Sequence, residues 1–105
     1  MARVVPAYTS RASAGGVVIA FDSDIEAIEI ANSTEFGLGG GVFSQNIAAA
    51  KQLAAGITAG QVAINEIIST DFSRPFGGVK ASGIGRELGI ESFFEFTQTK
   101  VMITQ

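Results

Sequence analysis

Cysteine and histidine are both absent from this chain of 105 residues. Without cysteine there is no disulfide and no thiolate nucleophile within these residues, and without histidine the usual zinc ligand sets are missing. Basic side chains are few and scattered, and the net charge is −3. That leaves no electrostatic case for nucleic acid. No apolar run approaches the roughly 20 residues that a membrane-spanning helix needs. The N-terminal segment carries Arg3 and Arg11, but Pro6, Thr9, Ser10 and Ser13 interrupt it, so it lacks the apolar centre of a signal peptide. A cytoplasmic protein is the expectation that remains.

What the chain does have is apolar content: 47% of residues are hydrophobic and only 16% are charged. The length fits one domain, yet the composition resembles a slice of a larger core or a subunit that hides surface against a partner. Residues 1–16 show neither helical nor alternating periodicity and read as an irregular arm; residues 17–105 read as a single domain. Val17-Val18-Ile19-Ala20-Phe21 is a β-branched run that predicts a buried strand. Ser23 and Glu26 form a capping box, and Ile25, Ile28 and Ala31 share one face of the helix that follows. Leu38–Ser44 predicts a second strand, weakened by Gly39-Gly40-Gly41, where another backbone passes close. Asn46 caps a second helix through Ala50 and Ala54, stopped near Gly56, and Gln61–Asn65 predicts a third strand. The order strand, helix, strand, helix, strand implies an α/β fold with a small parallel sheet, right-handed crossovers and flanking helices.

Beyond Asn65 the pattern breaks. Glu66–Arg86 has no sustained period and reads as a loop of about twenty residues, a length that is usually functional or disordered. Ile90, Phe93, Phe94 and Thr97 recur at helical spacing and predict a short helix, and Lys100–Thr104 a terminal strand. The phenylalanines at 72, 76, 93, 94 and 96 read as core or subunit-contact aromatics. Gly83-Ile84-Gly85-Arg86-Glu87-Leu88-Gly89 imitates a dinucleotide fingerprint, but has one residue too many before its last glycine and no strand directly before it. Gly78–Gly83 has Walker-like spacing without the following Lys-Ser/Thr. Glu66 and Asp71 flank residues 67–70 of the long loop, where solvated charges are a simpler reading than a tuned acid–base pair.

One stretch is more specific. Pro75-Phe76-Gly77-Gly78-Val79-Lys80-Ala81-Ser82-Gly83-Ile84-Gly85-Arg86-Glu87 resembles the C-terminal signature of the aldehyde dehydrogenase superfamily. Further similarity occurs in family order, in Phe21-Asp22, Glu26-Ala27-Ile28, Ala31–Leu38, Val42-Phe43-Ser44, Gly60–Asn65 and Glu95–Lys100. The resemblance covers about residues 17–105. It implies the last part of a catalytic-domain sheet followed by a terminal strand, Val101–Thr104, used in oligomerisation. It also implies that the loop after Gly60–Asn65 lines an aldehyde channel, which falls here on Ile68, Ser69, Thr70 and Phe76. Phe72 and Phe76 also fit as ordinary core aromatics, and Ser69-Thr70 as ordinary turn residues.

The family's chemistry joins a cysteine thiolate to the aldehyde, passes hydride to NAD(P) and activates water with a glutamate. It places those groups upstream of the region matched here. Where the family has Glu-x-Phe-Gly-Pro, with the glutamate on the cofactor ribose, this chain has Ser10 and Ala12-Ser13-Ala14. The resemblance therefore implies a truncated aldehyde dehydrogenase with no catalytic, cofactor-binding or metal-binding residues of its own. Two other readings stand beside it. One is a repurposed small oligomeric protein that binds a small molecule or partner through the old loop. The other is a complementing subunit for a chain that carries the missing groups. Either way a homo-oligomer is expected, through the sheet edge and Val101–Thr104.

Overall fold

The computed structural model describes the backbone of Arg3–Pro6 and all of residues 18–105. The fold is α/β, as the periodicity implies. Helix α1 (Asp24–Asn32) starts where the capping box predicts: the Ser23 hydroxyl accepts from the Glu26 N–H. The Glu26 carboxylate accepts in return from the Asp22 N–H, one residue before the cap, at 2.8 Å. Helix α2 (Ile47–Gly56) is capped by Asn46, whose side chain accepts from the Ala49 N–H. Between the helices lie strands β2 (Phe36–Gly37) and β3 (Gly39–Phe43), and β4 (Gln61–Ile64) follows α2. β3 and β4 pair in parallel with Gly39 opposite Gln61 and Val42 opposite Ile64, and α2 forms the crossover between them.

The first expected strand is not formed by its described residues, 18–21, which lie outside any sheet; Val17 lies outside the described residues. Val18 is 95% exposed. The edge of β3 that such a strand would need is taken by β1 (Arg3–Pro6), in antiparallel pairing with Arg3 opposite Phe43. The sheet is therefore mixed, in the order β1-β3-β4. Part of the expected irregular arm is thus a strand; residues 7–16 lie outside the described residues.

The core is small because the strand β3 is mostly glycine. Val42, Ala50 and Leu53 are fully buried, and Ile28, Ala54, Ile57, Val62 and Ile64 pack around them. Burying a leucine such as Leu53 contributes about 2 kcal/mol from water exclusion. The face of α1 is the expected one only in part: Ile28 and Ala31 are half-buried, but Ile25 is not covered. Ala27 is buried and Ile28 joins the core, whereas Ile25 is exposed, because α2 packs on the Ile28 side. The C-terminal ends of the helices are tied by Asn32, whose amide donates to Gly56 O at 2.8 Å and accepts from the Thr58 N–H at 2.7 Å. A side chain at Gly56 would meet Ile28, so the glycine lets the helices approach.

The stretch after Asn65 is less structureless than its sequence suggests. Strand β5 (Val79–Lys80) pairs antiparallel with β2, giving a second, two-stranded sheet. Residues 90–96 form a 3-10 helix, Ile90–Phe96, in place of the expected α-helix. None of its residues is buried, and Phe93, Phe94 and Phe96 stand in water, so they are not core aromatics of this chain. Lys100–Thr104 is not a strand here either. It pairs with no strand among the described residues, and Val101, Met102 and Ile103 are each more than three-quarters exposed.

Candidate functional site

The strand β3 alternates between two faces, and its glycines expose both. Gly40 and Val42 point toward the helices; a side chain at Gly40 would meet Ile57. Gly39 and Gly41 point the other way, where the loop after β4 returns across the sheet. A side chain at Gly39 would run into Ile68 Cδ1. The absence of side chains on this face leaves a groove of about 400 Å³ between β3 and the loop.

Ile68 and Phe76 both line that groove, together with Leu38, Phe43, Glu66 and Ile67. A second groove of about 330 Å³ lies along β4, and Ser69 lines it with Glu66, Arg74 and Pro75. Thr70 borders neither of these grooves and is exposed. Of the four residues that the resemblance put in the channel, the structure brings two onto one wall, places one next door and leaves one outside. Leu38, Phe43 and Ile67 were not anticipated there. For Phe43 the signal was the period-two alternation through the glycine run, which puts position 43 on the same face as 39 and 41; Leu38 and Ile67 carried no such signal.

The loop is held by backbone carbonyls rather than by charge pairs. Gln61 Nε2 donates to Pro75 O at 2.9 Å and so fixes the return of the loop over β4. Asp71 is engaged by its own turn: its carboxylate accepts from the Ser73 N–H at 2.9 Å and the Ser73 hydroxyl at 2.7 Å, with Arg74 at 3.2 Å. These hold its carboxyl below the ordinary value of 3.8, the Ser73 backbone bond most, then the Ser73 hydroxyl, with Arg74 contributing less. The Asp71 carboxylate is a turn-former, not half of an acid–base pair with Glu66.

The glycine-rich signature closes on itself. Phe76 and Glu87 exchange two backbone hydrogen bonds of 2.7 Å, so residues 76–87 form a ring. Inside it, the Arg86 guanidinium donates to Gly78 O and Gly85 O, each at 2.8 Å. Ser82 Oγ accepts from the Gly37 N–H, and Lys80 Nζ donates to Asn32 O and Thr34 O at the C-terminal end of α1. A cation there complements the helix dipole and uncapped carbonyls. A dinucleotide does not fit this arrangement. Gly83 and Gly85 sit on an open tip that leads into a backbone bridge at Glu87 rather than into a helix N-terminus, and the Arg86 donors named above are spent on carbonyls.

The profile of the aldehyde dehydrogenase family matches residues 16–102. Cytosolic 10-formyltetrahydrofolate dehydrogenase of Xenopus tropicalis is 43% identical over 82 residues, covering 77% of this chain and 9% of that protein. Betaine aldehyde dehydrogenase of Vibrio vulnificus is 41% identical over 88 residues, covering 84% of this chain and 18% of that protein. Among solved structures, betaine aldehyde dehydrogenase of Staphylococcus aureus in complex with NAD+ superposes with a TM-score of 0.70 at 43% identity, over 72% of this chain and 15% of that one. The chain thus spans less than a fifth of the length of these relatives.

Proposed function

Because the chain belongs to the aldehyde dehydrogenase family, we propose that its residues 18–105 form one wall of an aldehyde channel and do not carry out the oxidation by themselves. The observation that carries this reading is the meeting of Ile68 and Phe76, eight positions apart, on one groove over the bare face of β3. An apolar wall excludes water and holds the carbon chain of an aldehyde while leaving its carbonyl to groups outside these residues. The thiolate and the NAD(P) site then come from other polypeptide, on the same chain or a separate one, since these residues hold no cysteine and their glycine loop runs into a backbone bridge at Glu87 rather than a helix N-terminus.

The reading extends to assembly in the cytoplasm. Val101–Ile103 and the three exposed phenylalanines of the 3-10 helix present an apolar surface that water does not favour. We assign Val101–Thr104 to strand addition against a neighbouring subunit, which would satisfy its open backbone groups.

Two measurements test the channel reading. The purified chain, given NAD+ or NADP+ with butyraldehyde or benzaldehyde, should form no reduced nicotinamide; steady turnover lost on a point substitution in the chain would refute the reading. Titrating the same aldehydes into labelled protein should shift the NMR signals of Gly39–Gly41, Ile68 and Phe76, and Phe76→Ala should weaken those shifts. Shifts confined to other residues would remove the groove as the aldehyde site.

A further inference from the structure

Two segments of this chain have a claim on one sheet edge. β3 has two edges, and β4 pairs along one of them. Arg3–Pro6 holds the other in antiparallel register, Arg3 opposite Phe43 and Pro6 opposite Gly40. Meanwhile Val18-Ile19-Ala20-Phe21, with β-branched and aromatic residues suited to a strand, pairs with nothing among the described residues, Val18 95% and Ile19 47% exposed.

Topology puts the second segment next to the same seat. Two residues separate its end from the start of α1, and α1 runs beside β1 before the chain enters β3. A strand at 18–21 followed by α1 and β3 is an ordinary βαβ unit, whose right-handed crossover lays the strand parallel to β3 under α1. That is the position β1 occupies.

The hold of β1 on this edge is modest. It has four residues, and Pro6 brings no N–H to the ladder. Opposite Val5 and Pro6 stand Gly41 and Gly40, which offer no side chain for a cross-strand contact. Pairing by residues 18–21 would form a ladder of similar length and take Val18 and Ile19 out of water. We propose that Arg3–Pro6 and Val18–Phe21 are alternative occupants of this edge, and that β1 is an intramolecular plug whose release converts the mixed sheet into a parallel one. This is independent of the channel reading, because the groove lies between β3, β4 and the loop.

Backbone amide hydrogen exchange at Val18, Ile19, Ala20 and Phe21 in the full chain tests it. The double substitution V4P/V5P removes β1 pairing and should slow exchange at these four amides by about tenfold or more relative to the unaltered chain. If V4P/V5P fails to fold, as loss of protection at Val42 and Leu53 would show, a second variant decides. R3C/F43C adds the only cysteines to a cysteine-free chain and joins opposed residues of β1 and β3. Oxidised, it locks β1 on the edge and should make residues 18–21 exchange faster than in the unaltered chain; reduced, it should return them to the unaltered chain's rates. Equal exchange at 18–21 in the unaltered, oxidised and reduced forms overturns the proposal, as does failure of the disulfide to form.

Discussion

Asn65 holds Ser44 by both of its backbone groups. The Asn65 side-chain oxygen accepts from the Ser44 N–H at 2.7 Å, and its amide donates to Ser44 O at 2.8 Å. The Asn65 N–H also donates to Val42 O at 2.8 Å, and Asn65 adopts φ +56°. One side chain thus imitates the peptide of a further strand residue and closes the ends of β3 and β4 together at the start of the loop after β4.

Replacing Asn65 separates these effects. Asn65→Gly keeps the left-handed backbone and loses both side-chain bonds, for a cost of about 1–2 kcal/mol. Asn65→Ala adds the strain of a positive φ and should cost about 1 kcal/mol more. Urea unfolding of the two variants beside the parent measures both; a parent-like Asn65→Gly would show that the two bonds contribute nothing.

Gly60 and Gly85 should respond in opposite ways to alanine. A side chain at Gly60 would overlap the Gly77 carbonyl, backbone against backbone, while one at Gly85 meets no atom within 4 Å. Gly60→Ala should cost on the order of 3 kcal/mol or prevent folding, and Gly85→Ala should change stability by less than about 0.5 kcal/mol. Thermal melts of the pair decide it, and equal melting temperatures would contradict the close approach.

Asp71 gives a pH prediction. Its folded pKa is depressed, so its turn is fully held above the ordinary value of 3.8 and is lost as pH falls through the lower, folded value. An NMR titration of the Asp71 carboxyl should show a midpoint below 3.8, and Ser73→Ala should raise it. Because Arg74 contributes less than either Ser73 bond, added salt should move the midpoint little. A midpoint that returned to 3.8 in salt alone would reverse that ranking.

The C-terminal residues should matter to assembly and not to the core. Deleting Lys100–Gln105 should shift the chain toward monomer or aggregate in light scattering, whereas deleting Met1–Tyr8 should do much less. In contrast, Leu53→Ala, at a side chain only 2% exposed, should cost about 2–5 kcal/mol in the folded chain itself.

The parts of the fold that were legible were those with local causes. Ser23 and Asn46 announce α1 and α2 because a cap is a contact over three residues. The unit β3-α2-β4 follows from short connections and apolar spacing. Residues 18–21 were misread because a strand needs a partner edge, and that edge is held by Arg3–Pro6, a pairing across about 40 residues that no local pattern reports. Ile25 was misassigned because a shared stripe does not say how far along it the cover extends: the core packs on Ile28 of the same face and leaves Ile25 exposed. At the groove, family resemblance had named Ile68 and Phe76, whereas Phe43 required the face alternation of a glycine strand. The Phe76–Glu87 ring joins the two ends of a loop, and composition alone does not encode such closure.

The ring also sorts the signature residues by what each answers to. Gly77, Gly78 and Arg86 are packed inside it, so the chain by itself enforces their identity. Ile84, fully exposed at the tip, touches no packed surface that would demand an isoleucine. A saturation-mutagenesis map of the lone chain and a second map of a complete enzyme carrying this segment would therefore disagree at the tip and agree inside the ring. The positions of disagreement would outline the footprint of whatever the tip leans against.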